Sequence, residues 1–211
     1  MTMNKGILVV VSGFSGAGKG TIMKELLSKY DFALSISATT RKPREGEENG
    51  REYFFLTREE FENKIKENEF IEYAEYVGNY YGTPKTYVKE QLDKGKDVLL
   101  EIEMQGGMLV KEQFPDAVLI FITTPTAEIL KERLTGRGTE DEATINRRIL
   151  RAGEEADYMK QYDYIIINDS LDETVENVHN VIQTEHCRKE RQTRLIERMT
   201  VELRSLGKDL V

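Results

Sequence analysis

The sequence predicts an α/β fold: a parallel sheet flanked by helices, with a small mixed β insertion and a helical lid. Three observations carry that prediction. Short, β-rich apolar runs recur at lengths typical of buried strands. Helix-like stretches with spaced apolar residues separate them, and the alternation favours a parallel sheet covered on both faces. The stretch "GFSGAGKGT" (13–21) joins the first run to the first helix, the strand–loop–helix setting of a phosphate-binding loop.

The first strand is Ile7–Val11, inside "GILVVVSGF" (6–14). That run is too short to span a bilayer and lacks the small-residue cleavage site of a secretory signal. Thr21–Lys29 reads as helix, with Ile22, Leu26 and Lys29 on related faces. Residues 35–84 break the rhythm. The polar turn "RKPREGEENGRE" precedes "YFFL", "FIEYAEYV" and "GNYYGTP", and these alternating runs with Gly or Asn turns predict the mixed β insertion. The core then resumes with helix Thr86–Leu92 and strands Val98–Ile102 and Val118–Ile122. Helix Thr126–Leu134 follows, its start marked by Pro125. Residues 136–158 form the expected lid, an arginine-studded, helix-prone stretch entered through glycines that can hinge. Tyr164–Ile167 is the last strand. From Leu171 the chain reads as one long helix, packed in part on the core, its charges a solvated face. The expected division is a core of 1–34, 85–135 and 159–211, an insertion of 35–84 and a lid of 136–158.

Composition narrows the function classes. The 211 residues are 39% hydrophobic and 32% charged, which suits a globular chain with a substantial core. Thirty Lys and Arg against 38 Asp and Glu leave a formal charge of −8, which disfavours broad binding to nucleic acid or anionic membrane. Cys187 is the one cysteine, so no intramolecular disulfide can form, and a cytoplasmic location is expected.

The chemistry concentrates at a few motifs. Gly13, Gly16, Gly18 and Gly20 let the backbone turn tightly around an anion, and successive N–H groups with the following helix N-terminus make a cradle. Lys19 adds a cation for the β- and γ-phosphates. The usual loop places a metal-binding hydroxyl directly after its lysine. Here Gly20 stands there and the hydroxyl comes at Thr21. Consecutive helix positions are about 100° apart, so Thr21 does not replace it and faces the α-phosphate side instead. Glu101 and Glu103 end a strand on one face, where carboxylates can organise Mg²⁺ and its waters. The D-x-x-G and N-K-x-D signatures of a GTPase switch are absent. Arg41 and Arg44 flank Pro43, a pairing suited to a phosphate monoester. Tyr53 and Tyr81 offer hydroxyls near glycine turns. Glu72 can accept two hydrogen bonds from the N1–H and N2–H₂ edge of guanine, which adenine does not present.

Taken together, "GFSGAGKGT", "SATTRKPREGE…NGREYFF", "FIEYAEYVGNYYGTP", "LLEIEMQGG", "RLTGRGTEDE" and "YDYIIINDS" resemble the guanylate kinases, over residues 13 to 170. "TTRKPREGE" and "GNYYGTP" are particular to that family rather than to phosphate-loop proteins generally. The resemblance implies a phosphate-loop kinase core, a GMP-binding insertion and ATP and GMP as substrates, with Mg²⁺ accompanying ATP. It implies that Ser37, Glu72 and Thr83 read the guanine, that Arg41, Arg44, Tyr53 and Tyr81 hold the GMP phosphate, and that Glu103 lies near base and ribose. Ser15, Gly16, Ala17, Gly18, Lys19, Gly20 and Thr21 would hold ATP. Asn168 and Asp169 would lie on its adenine side. Lys19, Arg41, Arg133, Arg137 and Arg148 would be catalytic, and Glu101 would stand in the outer shell of the metal. Many family members carry aspartates where Glu101 and Glu103 stand here. A non-catalytic binding module, or a kinase for another nucleoside monophosphate, is the competing reading. The sequence leaves monomer and homodimer both open.

Overall fold

A computed structural model describes residues 5–76, 78–136 and 141–208. The chain runs β1 (Leu8–Gly13), α1 (Lys19–Lys29), β2 (Ala33–Leu34), β3 (Ala38–Thr39), β4 (Phe54–Phe55) and α2 (Arg58–Lys66). It continues through β5 (Phe70–Tyr76), β6 (Asn79–Pro84), α3 (Lys85–Asp93), β7 (Val98–Glu101), α4 (Met104–Gln113) and β8 (Val118–Thr123). It ends with α5 (Ala127–Thr135), α6 (Glu142–Glu155), β9 (Tyr164–Ile167), α7 (Leu171–His186) and α8 (Thr193–Lys208).

The main sheet has the order β2-β7-β1-β8-β9, and every pairing in it is parallel. The sequence of β1 explains its central place. All six of its residues are buried, so it reads as a continuous apolar run rather than an alternation. Because the strands are parallel, β1, β7 and β8 end on the same edge of the sheet, with Val11 level with Glu101 and Gly13 level with Ile122. Ligands of open α/β sheets bind at such an edge. The second sheet is mixed, in the order β4-β3-β6-β5. It closes over a small core in which Phe61 stacks on Phe70 at 4.3 Å and on Tyr80 at 5.1 Å. The expected fold class is therefore the observed one.

Two expectations need correction. Helix α4 was not expected, because Gly106 and Gly107 depress helix propensity by roughly 1 kcal/mol each. Tertiary contact overrides that cost. A Cβ on Gly107 would stand 2.7 Å from the Tyr162 hydroxyl, and one on Gly106 would stand 3.4 Å from Glu72 Oε2. At Gly107 the Tyr162 hydroxyl comes too close for a side chain, while Gly106 lies in ordinary contact with Glu72. The single long C-terminal helix is also two helices. Arg188 adopts extended backbone angles, and the turn Lys189–Arg191 separates α7 from α8. Side chains fix the break: Arg191 donates to the Asp116 carbonyl at 2.7 Å, and Gln192 donates to the His186 carbonyl at 2.8 Å. No helix among the described residues is long and apolar enough to cross a membrane.

Candidate active site

The phosphate loop occupies the end of β1. Gly18 caps α1 with φ of 93°, a left-handed conformation that favours glycine, and it lets the helix start two residues before the predicted Thr21. Leu134 of α5 packs over Gly16. Lys19 Nζ donates to the carbonyls of Gly13 at 2.7 Å and Phe14 at 3.2 Å, so its ammonium folds back over the loop. Ala17 is fully buried, and its carbonyl accepts from Asn168 Nδ2 at 2.7 Å. Asn168 Oδ1 in turn accepts from Thr174 Oγ1 at 3.1 Å. Asn168 is buried; its side chain meets the loop and α7, and its backbone N–H donates to the Thr123 carbonyl of β8 at 2.7 Å. It braces the phosphate loop from behind, while Asp169 next to it is exposed. Replacing Asn168 by alanine strands the Ala17 carbonyl, which costs about 1–3 kcal/mol. We expect a lower melting temperature and a raised KM for ATP, with KM for GMP unchanged; thermal melts and steady-state kinetics check this.

Glu101 and Glu103 stand at the neighbouring strand end. Glu101 is open to solvent, yet the surrounding protein raises its pKa; Lys19 opposes that rise and Glu103 adds to it. Glu101 therefore lies within the field of the loop lysine. Ser12, buried just ahead of the loop, donates to the Ile102 carbonyl at 2.8 Å and ties this strand end to β1.

The residues expected to bind the acceptor lie on or beside the second sheet. Glu72 of β5 has its carboxyl largely shielded, and burial raises its pKa although Thr83 works the other way. Thr83, fully buried on β6, donates to Glu72 Oε1 at 2.6 Å. Half-buried Ser37 precedes β3, and its carbonyl accepts from Phe54 N at 2.9 Å. Arg41 lies 5.4 Å over the Tyr53 ring and 5.8 Å over Phe55. Its guanidinium donates to Glu47 Oε1 at 2.9 Å and to the Lys42 carbonyl at 2.8 Å. Glu47 raises the Arg41 pKa first of all, with Tyr81 adding to the effect. The Glu47 carboxyl is held below its ordinary range by the same bond, and its Oε2 accepts from Arg44 N at 2.7 Å. Tyr53 and Tyr81 meet edge to face at 6.1 Å. Arg41, Tyr53 and Tyr81 thus form one cluster, with Arg44 joined through Glu47. Glu47 lay in the quoted "PREGE" motif but was not assigned a role from sequence.

α6, within the segment expected to form a lid, contacts both groups of residues. Arg148 of α6 donates from Nη1 to Ser15 Oγ at 3.1 Å. Arg151, on the same helix, pairs with Glu155 at 2.7 Å and reaches Glu103 Oε2 at 3.7 Å. Sequence reading missed Arg151; its spacing of three from Arg148 in "RRILR" was the available signal. Contacts thus run from the loop through Ser15, Arg148, Arg151 and Glu103 to α4, where Gly106 abuts Glu72. Arg133 of α5 is half-buried and directly precedes Leu134. Arg137 lies outside the described residues. Gly20 and Thr21 are exposed at the start of α1.

A nucleotide switch needs one anion site. Two, one at the loop and one among the arginines and tyrosines of the second sheet, suit a phosphate-loop kinase whose acceptor is itself a phosphate ester. The comparisons with known proteins narrow that class. The Guanylate kinase family matches residues 5–185. The guanylate kinase of Streptococcus thermophilus is 55% identical over 189 residues, spanning 89% of this chain and 90% of that one. That of Clostridium tetani is 51% identical over 189 residues, spanning 90% and 91%. The crystal structure of guanylate kinase from Anaplasma phagocytophilum superposes with a TM-score of 0.72 at 32% identity, covering 93% of this chain and 95% of that one. The chain belongs to the guanylate kinase family.

Proposed function

We propose that this guanylate kinase transfers the γ-phosphoryl group of ATP to GMP, giving ADP and GDP, with the residues above in definite roles. The observation that carries the substrate assignment is Glu72: a shielded carboxylate with Thr83 on one oxygen and acceptor capacity left for guanine N1–H and N2–H₂. Ser37 and Thr83 read the remaining base edge, with Glu103 toward the ribose. Arg41, Arg44, Tyr53 and Tyr81 hold the GMP phosphate, whose oxygen is the attacking group. That oxygen is already ionised at neutral pH, so no general base is needed, and the task is alignment and charge neutralisation. Residues Ser15 to Thr21 hold the ATP phosphates, with Lys19 turning from its carbonyls to the β- and γ-oxygens. Asn168 fixes the loop from behind. Arg133, Arg137 and Arg148 neutralise the charge of the transferred group, and a closed lid of residues 136–158 excludes water that would otherwise take the phosphoryl group. The single cysteine accords with a cytoplasmic setting.

The residues fit Mg²⁺ brought in with ATP. Such an ion keeps most of its waters and needs only one or two carboxylates besides the phosphates. Glu101 is one, an exposed carboxyl at the end of β7 within the field of Lys19. When bound, Mg²⁺ would neutralise the β- and γ-phosphate oxygens, with Glu101 in its outer shell. Gly20, where other phosphate loops carry the metal-binding hydroxyl, is not imposed by space, since a Cβ there meets nothing within 4 Å. Gly20→Ser should therefore raise the melting temperature slightly, as serine is a better helix former than glycine by about 0.3–0.5 kcal/mol, and leave kcat unchanged. A rise in kcat would show that a protein hydroxyl on the metal was wanted. The functional assignment itself is tested by ADP formation with GMP, AMP, UMP and dTMP offered separately. GMP is expected to be strongly preferred, and activity mainly with AMP overturns the reading.

A further inference from the structure

In the chain after β3, one carboxylate reaches both arginines of the anion cluster. Arg41 and Arg44 stand three apart in "RKPREGE", and Glu47 follows three residues later. Gly46 has φ of 84°, in the left-handed region, and it turns the chain back so that Glu47 faces residues it has just passed. A Cβ there meets nothing within 4 Å, so backbone angle rather than space favours glycine. The turn is closed at both ends. Glu47 N donates to the Arg44 carbonyl at 3.1 Å, and Arg44 N donates to Glu47 Oε2 at 2.7 Å. The other carboxylate oxygen, Oε1, accepts from Arg41 Nη2 at 2.9 Å. Arg51 Nη2 holds the turn from outside, donating to the Gly46 carbonyl at 2.5 Å.

We infer that Glu47 is a positioning residue for the phosphoryl acceptor: its one carboxylate fixes the Arg41 guanidinium and the Arg44 backbone in the arrangement that receives the phosphate of GMP. This rests on the acceptor site proposed above. Three observations support it. The first is shielding. The Arg41 and Glu47 side chains are 16% and 17% exposed, against 53% and 69% for the neighbouring Arg51–Glu48 pair. Exposed pairs contribute little, whereas a shielded one can hold a side chain in place. The second is donor count. Arg41 Nη1 and Nη2 each carry two N–H groups, and the Lys42 carbonyl and Glu47 take one apiece. The guanidinium is therefore held and still keeps donors for a phosphate. The third is the second bond of the carboxylate. Oε2 is tied to Arg44 N, so a phosphate that displaced Glu47 from Arg41 would have to pull against the turn as well. The Arg44 side chain is exposed, and it is the backbone carrying it that Glu47 sets. The bond to Arg41 also holds the Glu47 carboxyl below its ordinary 4.5, which keeps the pair charged at neutral pH. An arginine ordered before its ligand arrives has less freedom to lose on binding.

Steady-state kinetics of Glu47→Gln, with GMP and ATP varied in turn, test this. The amide oxygen still accepts from Arg44 N, so the substitution removes the charge facing Arg41 and little else. KM for GMP is expected to rise about 10-fold, through loss of one charge-assisted hydrogen bond and the order it imposes. KM for ATP should not change. Gly46→Ala strains the turn without altering either arginine, so it should also raise KM for GMP, and it keeps the test open if Glu47→Gln folds poorly. In an Arg41→Ala background Glu47→Gln should add little, because the two residues act as one unit. Arg41→Ala also separates positioning from substrate assignment. If it leaves KM for GMP unchanged, the acceptor phosphate is not bound here, and the site and the positioning role fall together. If Arg41→Ala raises that KM and Glu47→Gln does not, the positioning role alone is overturned. A fall in KM for GMP in Glu47→Gln overturns it in favour of a carboxylate that competes with the phosphate for Arg41. Equal rises in KM for GMP and ATP, or fully additive losses in the double variant, overturn it in favour of a turn that only supports the fold.

Discussion

Glu72→Gln is expected to lower kcat/KM for GMP by roughly 10²–10³-fold, because a site built around a charged acceptor loses about 3–4 kcal/mol when an amide faces the same donors. ATP binding should be unchanged. Steady-state kinetics with GMP varied, and ATP titration of the free protein, measure the two halves separately. The same variant carries a second expectation of opposite sign. Burial raises the Glu72 pKa above its ordinary 4.5. The folded protein thus holds that proton more tightly than the unfolded chain. The contribution to stability is full below the unfolded pKa and is lost as pH rises through the folded one. At neutral pH the ionised carboxylate is therefore a cost to the free enzyme, tolerated for the sake of the base. Glu72→Gln should melt higher than wild type at pH 7, and the gap should close as pH falls below the unfolded pKa. GMP binding to the wild type should weaken over the acid range, since a protonated carboxyl turns one acceptor into a donor. Equal GMP kinetics in the variant would remove Glu72 from the guanine site.

How much of this was legible in the sequence depended on distance along the chain. The phosphate loop was readable because nine consecutive residues make it and its glycines answer to local backbone geometry. Arg41, Arg44, Tyr53, Glu72 and Tyr81 could be named because their motifs carry the resemblance to the family, and the structure clusters Arg41 with both tyrosines. Elements that depend on remote partners were not readable. The brace from Asn168 to Ala17 joins residues 151 apart, and nothing near Asn168 announces it. Helix α4 was hidden because two consecutive glycines depress helix propensity, and Gly107 answers to Tyr162, 55 positions away in the chain. The break after α7 depends on Asp116, which lies 75 residues from Arg191. Arg151 was overlooked because an arginine on an amphipathic helix usually means a solvated face, and only the fold shows Glu103 opposite it.

Arg148→Ala is expected to reduce kcat by about 10³-fold, the lower end of what an arginine supplied to a phosphoryl-transfer transition state contributes. Substrate binding should change far less, because the charge it neutralises is greatest in the transition state. Its position supports that split. The guanidinium is carried on α6, away from the rigid sheet, and its described contact is the hydroxyl of Ser15 in the phosphate loop at 3.1 Å. Arg148→Lys should rescue little, since a point charge does not reproduce the planar fork. Ser15→Ala separates catalysis from docking. It removes the observed contact and keeps the arginine, so kcat should stay near wild type if the guanidinium's task is the transferred phosphoryl group. If instead Ser15→Ala and Arg148→Ala raise KM for ATP alike and leave kcat alone, Arg148 is only a latch between lid and loop. The same comparison extends to Arg137, proposed to share the role: alanine there should also act on kcat. Combining the two should cost less than the product of the single losses, because both arginines answer to one developing charge.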